Sequence, residues 1–319
     1  MIRILANDGI DEDAQTLLEE AGYEVITEKV AQDDLAAQLP GFDVIIVRSA
    51  TKVRESLIDK CPDLKIIARA GVGLDNIDHE YAESKGITVI NTPAASSQSV
   101  AELAFAHMFS LARFVNRSNR ELTAAGSDFK KLKNAYSEGF QLRGKTLAII
   151  GFGRIGRETA RIGLALGMKV LPVDLAVDSA DIGIELYDNE NISLSVKIET
   201  VDMETALGQC DFLTIHVPAL KGALITKKEI AKMKDTAIVI NTARGGIIDE
   251  ADLLEALNNG RLGGAGIDVF DNEPTPNAAL LQHERVSVTP HIGAATVEAQ
   301  RNIGLELADR ILAHFGDDK

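Results

Sequence analysis

A glycine-rich turn in the middle of the chain joins a strand-like segment to a helical one. The apolar run Thr146–Ile150 has the length of a buried β-strand, and Gly151–Gly156, with glycine at 151, 153 and 156, follows it directly. In such a turn the first glycine permits the bend, the second lets backbone approach a pyrophosphate, and the third lets helix and strand pack closely. Free N–H groups at the helix start can bind phosphate. The pattern predicts a dinucleotide site.

A lone glycine turn of this kind is often only structural, so a second feature matters. The next apolar run, Lys169–Val173, ends in Asp174, about 20 residues after the first glycine. A carboxylate at this position binds the ribose hydroxyls of NAD and repels the 2′-phosphate of NADP. We therefore predict NAD as the cofactor.

Length and charge limit the classes of protein. The turn begins near the midpoint of 319 residues, more than one core usually organises, so we expect two domains. Hydrophobic residues make up 45% and charged residues 25%, as in soluble globular proteins. The net charge of −15 argues against nucleic acid or an anionic membrane as partner. An anionic substrate therefore needs a local group of cations.

The two cysteines, Cys61 and Cys210, form neither a metal-like spacing nor a disulfide framework. We expect each to be a buried apolar residue, no metal site, and a reducing compartment. The first residues run directly into a strand pattern, and no apolar run reaches the roughly 20 residues that span a bilayer. The sequence thus predicts a cytoplasmic protein without a signal peptide.

The apolar runs alternate with helical patterns, which predicts the α/β class with two doubly wound domains. Predicted strands lie at Ile2–Asn7, Tyr23–Ile26, Asp43–Arg48, Leu64–Arg69, Thr88–Asn91, Asp211–Val217, Ala237–Asn241, Gly264–Asp268 and Val286–Thr289. Predicted helices lie at Glu12–Ala21, Asp78–Lys85, Lys227–Lys234, Glu250–Asn259 and Ala294–Phe315. A long amphipathic helix runs from about Ser99 to Asn116 and is followed by a polar arm to Arg143. An extra surface hairpin is expected near 187–198.

This order predicts a Rossmann NAD-binding domain inserted into a smaller, flavodoxin-like substrate domain. We assign residues 1–98 to the first segment of the substrate domain and 99–290 to the NAD-binding domain with a dimerisation arm. Residues 291–319 would return to the substrate domain. Chemistry is expected where strands end, facing the cleft between the domains.

Three polar residues follow predicted strands of the nucleotide domain: Arg244, Glu273 and His291. Alone, each is usually a solvated turn arginine, a loop acid or a helix-capping histidine. Together they supply an anion-binding guanidinium, an imidazole that titrates near neutrality and a carboxylate that orients it. Hydride transfer from a hydroxy acid requires this set.

At the level of whole motifs the chain resembles the D-isomer-specific 2-hydroxyacid dehydrogenases. The motifs are Ala68–Asp78, Gly151–Gly156, Asn241–Asp249, Gly266–Phe270 with Asn272–Pro274, and Thr289–Thr296. Val47–Val53 and Asn91–Pro93 are similar to the D-3-phosphoglycerate dehydrogenase branch of that family, in a short form without C-terminal regulatory domains. The resemblance implies oxidation of 3-phospho-D-glycerate to 3-phosphohydroxypyruvate, the first step of serine biosynthesis, in a homodimer or higher homo-oligomer.

The resemblance also implies residue roles. His291 would be the acid/base, Glu273 its partner, and Arg244 the group that binds the substrate carboxylate. Cofactor-binding positions would be Gly151, Gly153, Arg154, Ile155, Gly156, Asp174, His216, Val217, Pro218, Thr242, Ala243, Asp268 and Gly293. Substrate-binding positions would be Arg48, Ser49, Lys52, Arg69, Ala70, Gly71, Val72 and Gly73. The chain departs from the family pattern at Leu175, where proline is common, and in the longer hairpin.

Two alternatives stay open. Reduction of glyoxylate, hydroxypyruvate or another 2-keto acid uses the same catalytic trio and differs only in the substrate loops. An NAD-sensing binding protein similar to the C-terminal-binding corepressors has the same fold and acts through protein partners. Turnover distinguishes an enzyme from such a sensor.

Overall fold

The computed structural model describes residues 1–185 and 193–316. The strands are β1 (Arg3–Ala6), β2 (Glu24–Ile26), β3 (Val44–Val47), β4 (Ile66–Arg69), β5 (Thr88–Asn91), β6 (Thr146–Ile150), β7 (Lys169–Val173), β8 (Ser179–Glu185), β9 (Ser193–Glu199), β10 (Phe212–Ile215), β11 (Ile238–Asn241), β12 (Gly264–Ile267) and β13 (Val286–Val288). The helices are α1 (Glu12–Glu20), α2 (Leu35–Gln38), α3 (Glu55–Ile58), α4 (His79–Ser84), α5 (Ser97–Ala112), α6 (Val115–Thr123), α7 (Phe129–Ala135), α8 (Arg154–Ala165), α9 (Met203–Gln209), α10 (Lys227–Ile230), α11 (Glu250–Asn258), α12 (Ala278–Gln282) and α13 (Val297–Gly316).

The chain divides into two compact units. Unit 1 comprises Met1–Ser97 together with Ala294–Lys319, and unit 2 comprises Gln98–Gly293. Each unit is built on its own parallel sheet with helices on both faces, as the alternating pattern predicted. The α/β, doubly wound fold class is therefore confirmed.

Unit 1 has five parallel strands in the order β2-β1-β3-β4-β5, which is the flavodoxin-like order. Successive residues of β3 face opposite sides, so Val44 and Ile46 enter one core while Ile45 and Val47 enter the other. Helices α1 and α13 pack on the first of these faces, where Leu307 of α13 is fully buried. The reversal of strand order lies between β1 and β3.

Unit 2 has six parallel strands in the order β13-β12-β11-β10-β6-β7. The chain passes from β6 outward to β7 and then returns to β10 on the other side of β6. The strand order therefore reverses between β6 and β10, and ligands of doubly wound sheets bind beside the carboxyl ends at such a point. The glycine turn follows β6 directly.

The long helix predicted to reach Asn116 is wrong at its end, because α5 stops at Ala112 and α6 begins at Val115. Between them Phe114 adopts the left-handed conformation, with φ 54°. The carbonyl of Ala112 accepts a hydrogen bond from the N–H of Phe140, at 3.0 Å, instead of continuing the helix. Apolar residues continue through the bend, so the periodicity could not reveal it.

The extra hairpin is formed by β8 and β9, which pair antiparallel. Its sides at Ile182 and Ile198 are buried in the core of unit 2. Residues 187–192 of the expected hairpin lie outside the described residues. Among the helices that the structure describes, none is both long and apolar enough to cross a membrane.

Candidate active site

The glycine turn after β6 meets the three steric conditions of a dinucleotide site. Gly151 has φ 93°, and a Cβ there would lie 2.5 Å from the carbonyl oxygen of His216. A Cβ on Gly156 would lie 2.1 Å from the carbonyl oxygen of Gly151, so no side chain fits. Gly153 faces open space and caps α8 without a side-chain hydrogen bond. The first turn of α8, with Arg154 and Ile155, can therefore bind a phosphate through its N–H groups.

Asp174 lies at the end of β7, beside this turn. Its Oδ2 accepts the N–H of Phe152 at 2.7 Å, and its Oδ1 accepts the N–H of Ala176 at 2.8 Å. Burial raises the pKa of Asp174, but the backbone hydrogen bonds outweigh it, so the pKa lies below its usual range. Asp174 therefore places a fixed negative charge beside the glycine turn. Leu175, which follows it, is exposed.

Two polar atoms near the ends of β10 and β11 are buried without a hydrogen bond to the described part of the chain: Nδ1 of His216 and Oγ1 of Thr242. Buried polar atoms are normally paired, so both fit a ligand that supplies partners. The Nε2 of His216 lies 3.1 Å from the hydroxyls of Thr159 and Thr214. Burial lowers the pKa of His216 to about 3, so its ring is neutral. The neighbouring positions Val217, Pro218 and Ala243 follow the same two strands, and the residues of this region fit NAD.

His291 and Glu273 form a direct pair. Nδ1 of His291 lies 2.8 Å from Oε2 of Glu273, and the other carboxylate oxygen accepts the N–H of Phe270 at 3.0 Å. Both side chains are solvent-accessible, at 46% and 37%. His291 has φ 55°, a left-handed conformation that only a few per cent of residues other than glycine adopt. Such outliers cluster at functional sites.

Asp268 holds the loop that carries His291. Its carboxylate is fully buried and accepts the N–H groups of Ile292 and Gly293, each at 2.9 Å. It also accepts the hydroxyl of Thr289 at 2.6 Å, and its backbone carbonyl accepts the N–H of His291 at 2.8 Å. The family resemblance implied that Asp268 is a cofactor-binding position, but it did not indicate this set of contacts.

Arg244 lies on the turn after β11, the strand next to β12. The side-chain amide of Asn241 donates to the carbonyl of Arg244 at 2.8 Å, and the guanidinium donates to the carbonyl of Ala243 at 2.7 Å. A Cβ on Gly245 would lie 2.1 Å from the carbonyl oxygen of Phe270. The turn with Arg244 therefore touches the loop that leads to Glu273, and the trio follows three consecutive strands of the sheet.

The predicted substrate residues of unit 1 lie at the carboxyl ends of β3 and β4. Val47 and Arg69 are register partners, so Arg48 and Ser49 leave the sheet beside Ala70–Gly73. Gly71 has φ 134°, and a Cβ there would overlap the Arg69 guanidinium. The structure therefore brings these residues to one edge of the sheet of unit 1.

Two residues of unit 1 that were not singled out shape this edge. Asp8 accepts the N–H of Arg48 at 2.8 Å, and the amide of Asn76 donates to the carbonyl of Arg48 at 2.7 Å. Asn76 belongs to a recognised motif, which was the available signal, whereas Asp8 had none. Lys52 lies on the same loop, its N–H bonded to Gln32 and its side chain exposed.

Comparison with known proteins agrees with this geometry. Residues 105–293 match the family described as D-isomer specific 2-hydroxyacid dehydrogenase, NAD binding domain. The chain belongs to the D-isomer specific 2-hydroxyacid dehydrogenases, a family of NAD-dependent oxidoreductases.

Two relatives and one solved structure illustrate the range of activities named for similar proteins. A hydroxypyruvate reductase from Thermotoga maritima is 43% identical over 320 residues, covering 98% of each chain. A D-3-phosphoglycerate dehydrogenase from Methanocaldococcus jannaschii is 40% identical over 314 residues, covering 98% of this chain but 57% of the relative. A glyoxylate reductase from Paecilomyes thermophila has a similar structure, with a TM-score of 0.83 and 27% identity, covering 100% of this chain and 96% of the other.

Proposed function

We propose that this chain oxidises 3-phospho-D-glycerate to 3-phosphohydroxypyruvate with NAD. The observation that carries the reaction class is the 2.8 Å contact between His291 and Glu273 on the loops after β12 and β13. The observation that supports a phosphorylated substrate is the pair of arginines, Arg48 and Arg69, at one edge of the sheet of unit 1.

The chain's own residues supply binding and proton transfer. NAD, when bound, supplies the acceptor for the hydride that leaves C2. Because Nδ1 of His291 is bonded to Glu273, Nε2 is the nitrogen left to take the proton of the 2-hydroxyl. Glu273 holds the ring and stabilises the imidazolium that forms. Arg244 binds the substrate carboxylate and polarises the developing carbonyl.

The remaining substrate contacts come from unit 1. The N–H groups of Gly71–Gly73 bind the carboxylate beside the guanidinium of Arg69, which lies against Gly71. The N–H of Ala70 is not available, because it already donates to the carbonyl of Val47 at 2.8 Å. Arg48, Lys52 and Arg69 bind the phosphate, and Ser49 adds a hydroxyl donor. A chain of net charge −15 needs such a local group of cations to bind a phosphorylated acid.

A second candidate is reduction of hydroxypyruvate. The hydroxypyruvate reductase from Thermotoga maritima matches this chain along nearly the whole length of both proteins. Its named substrate differs from phosphohydroxypyruvate only by the phosphate, so the cations of unit 1 decide between the two.

Steady-state kinetics with a panel of 2-hydroxy and 2-keto acids tests the proposal. We expect wild type to prefer the phosphorylated acid, and Arg48→Gln to raise its KM by roughly one to two powers of ten, because a charge-assisted contact contributes about 1.5–3 kcal/mol. Arg54→Gln is the matched control, since Arg54 is paired with Asp78 at 2.8 Å. Equal efficiency with glycerate or hydroxypyruvate would favour the second candidate. No turnover of any acid would favour the NAD-sensing class.

We also propose a homodimer formed through α5, α6 and α7. This segment exposes four large apolar side chains, those of Phe109, Val115, Leu122 and Phe129. Large exposed apolar patches are rare on monomeric proteins and often mark an interface. Light scattering should give twice the chain mass of 34.2 kDa. Leu122→Asp should lower the mass, whereas Leu220→Asp, at an exposed leucine after β10, should not. A monomeric wild type at micromolar concentration would exclude the dimer.

A further inference from the structure

A histidine outside the catalytic trio is buried behind the loop that carries His291. His107 of α5 is only 2% exposed, and both of its ring nitrogens are hydrogen-bonded. We propose that His107 is a positioning residue, which through Thr289 and Asp268 holds His291 in the geometry for proton transfer. This inference rests on the proposed role of His291.

The contacts form a directed chain of hydrogen bonds. Nδ1 of His107 lies 2.9 Å from the hydroxyl of Ser287, and Nε2 lies 3.0 Å from the hydroxyl of Thr289. Thr289 donates its own proton to Asp268 at 2.6 Å, so its oxygen accepts the proton on Nε2. Nδ1 is then unprotonated and accepts the hydroxyl of Ser287. One tautomer of His107 satisfies all of these contacts.

The ring of His107 stays neutral in this position. Burial lowers the pKa of His107, and the charge of Asp268 only partly opposes this effect. A neutral imidazole keeps one donor and one acceptor, which the directed chain requires. An aliphatic residue in its place would leave the buried hydroxyl of Ser287 without its acceptor, and the oxygen of Thr289 without the donor on Nε2.

Packing also restricts the position of the His107 ring. A Cβ on Gly266 of β12 would lie 2.7 Å from Cβ of His107 and 3.0 Å from its Cγ. The imidazole therefore sits directly on the backbone of β12, next to the strand that leads to His291. Only glycine at 266 leaves room for it.

The catalytic loop is the part of the molecule that requires such support. His291 has φ 55°. The backbone N–H of His291 donates to the carbonyl of Asp268, and the N–H of Ile292 donates to the side-chain carboxylate of Asp268. Asp268 is thus the common anchor, and Thr289 is its link to α5. Loss of that link should let the loop relax and move the imidazole away from its working geometry.

Kinetics on four variants test the proposal. Thr289→Val removes the linking hydroxyl at nearly constant volume, Thr289→Ser keeps it, and His107→Leu removes the ring. Ser287→Ala is the matched control, because it removes the other hydrogen bond of the same imidazole. We expect Thr289→Val and His107→Leu to lower kcat about 10- to 100-fold while the Kd for NADH stays within about threefold. Thr289→Ser should restore most of the rate, and Ser287→Ala should stay within about threefold of wild type.

A merely structural role predicts a different pattern. In that case Thr289→Val and Ser287→Ala lower Tm by similar amounts, and the two variants have similar kcat values. That result would overturn the proposal. The reaction assignment is tested separately by turnover of the wild type with the panel of acids.

A measurement that does not depend on turnover tests the positioning role of His107 separately from the reaction assignment. The protein has six histidines, and the Hε1 signal of His291 can be assigned by its loss in His291→Gln. In protein with ¹³C-labelled histidine, Thr289→Val should move this signal and Ser287→Ala should not. An unmoved His291 signal in folded Thr289→Val would refute the positioning role even if no substrate were found.

Discussion

At the scale of single residues, the pair His291 and Glu273 is where the proposed chemistry can be tested most directly. His291→Ala removes the group that takes the proton, so kcat should fall by roughly 10²–10⁴ while the Kd for NADH changes little. Glu273→Gln should also lower kcat, because an uncharged amide stabilises imidazolium less than a carboxylate does. Steady-state kinetics and a fluorescence titration measure both quantities.

His314→Ala, at a histidine of α13 in unit 1, is the control and should behave as wild type. A His291→Ala enzyme within a few-fold of wild type would remove His291 from the mechanism. A large loss of NADH affinity would instead place the histidine in cofactor binding.

Asp174 gives a second prediction at this scale. Its carboxylate, held by the N–H of Phe152, should favour the ribose hydroxyls of NAD and repel the 2′-phosphate of NADP. We expect kcat/KM with NADP to be much lower than with NAD. Asp174→Asn should reduce the ratio of kcat/KM for NAD to kcat/KM for NADP. Asp178→Asn, at an exposed aspartate on the same connection, should not change it. Equal kcat/KM values for NAD and NADP in the wild type would contradict the role.

The sequence predicted positions that depend on local structure, and it did not predict contacts between distant parts of the chain. The positions of the three glycines followed from one strand, one turn and one helix, and their steric surroundings match those requirements. By contrast, His107 and Thr289 are 182 positions apart in the sequence. No periodicity or spacing connects such a pair, because only the packing of α5 on the sheet brings them together.

At the scale of elements, the β8–β9 hairpin is an integral part of the core of unit 2. Ile182 is 2% exposed and Ile198 is 9% exposed, whereas Leu194 on the same hairpin is 55% exposed. Ile182→Ala should lower the free energy of unfolding by roughly 2–5 kcal/mol, the usual cost of emptying a buried site of this size. Leu194→Ala should change it by less than about 0.5 kcal/mol. Urea unfolding followed by circular dichroism measures both.

If both variants unfold at the same urea concentration as wild type, the hairpin is not packed as described. The sequence predicted its alternating strand but not its burial, since alternation shows that one face is apolar without showing what covers it. It also missed the helices α2, α3, α9 and α12, and it described the stretch that contains α6 and α7 only as a polar arm. Most of these helices are too brief for a helical period to stand out.

At the scale of the whole molecule, two buried neutral histidines make unfolding sensitive to acid. The pKa of His216 is lowered to about 3, and that of His107 is lowered by the same cause, burial. In the unfolded chain both titrate near 6.5. Between about pH 6.5 and 3 the unfolded state therefore binds more protons, and stability falls as the pH falls.

The expected slope is at most about 1.4 kcal/mol per pH unit for each histidine. Urea unfolding at pH 7.5, 6.0 and 5.0 should show the loss, and His216→Asn should make the dependence on pH shallower. His79→Asn, at a half-buried histidine of α4, serves as the comparison. A stability that does not change between pH 7.5 and 5.0 would show that the rings are not held neutral.

The place of α13 has a consequence for the order in which the chain folds during synthesis. The core of unit 1 contains Ile303, Leu307 and Ile311 of α13 beside Leu18 of α1. This core is therefore incomplete until the ribosome has translated α13. Unit 2 is a continuous stretch, Gln98–Gly293, and all of its strands have been made by then. The unit that begins first is therefore completed last. Until α13 has been translated, this face of its sheet is covered only in part, by α1.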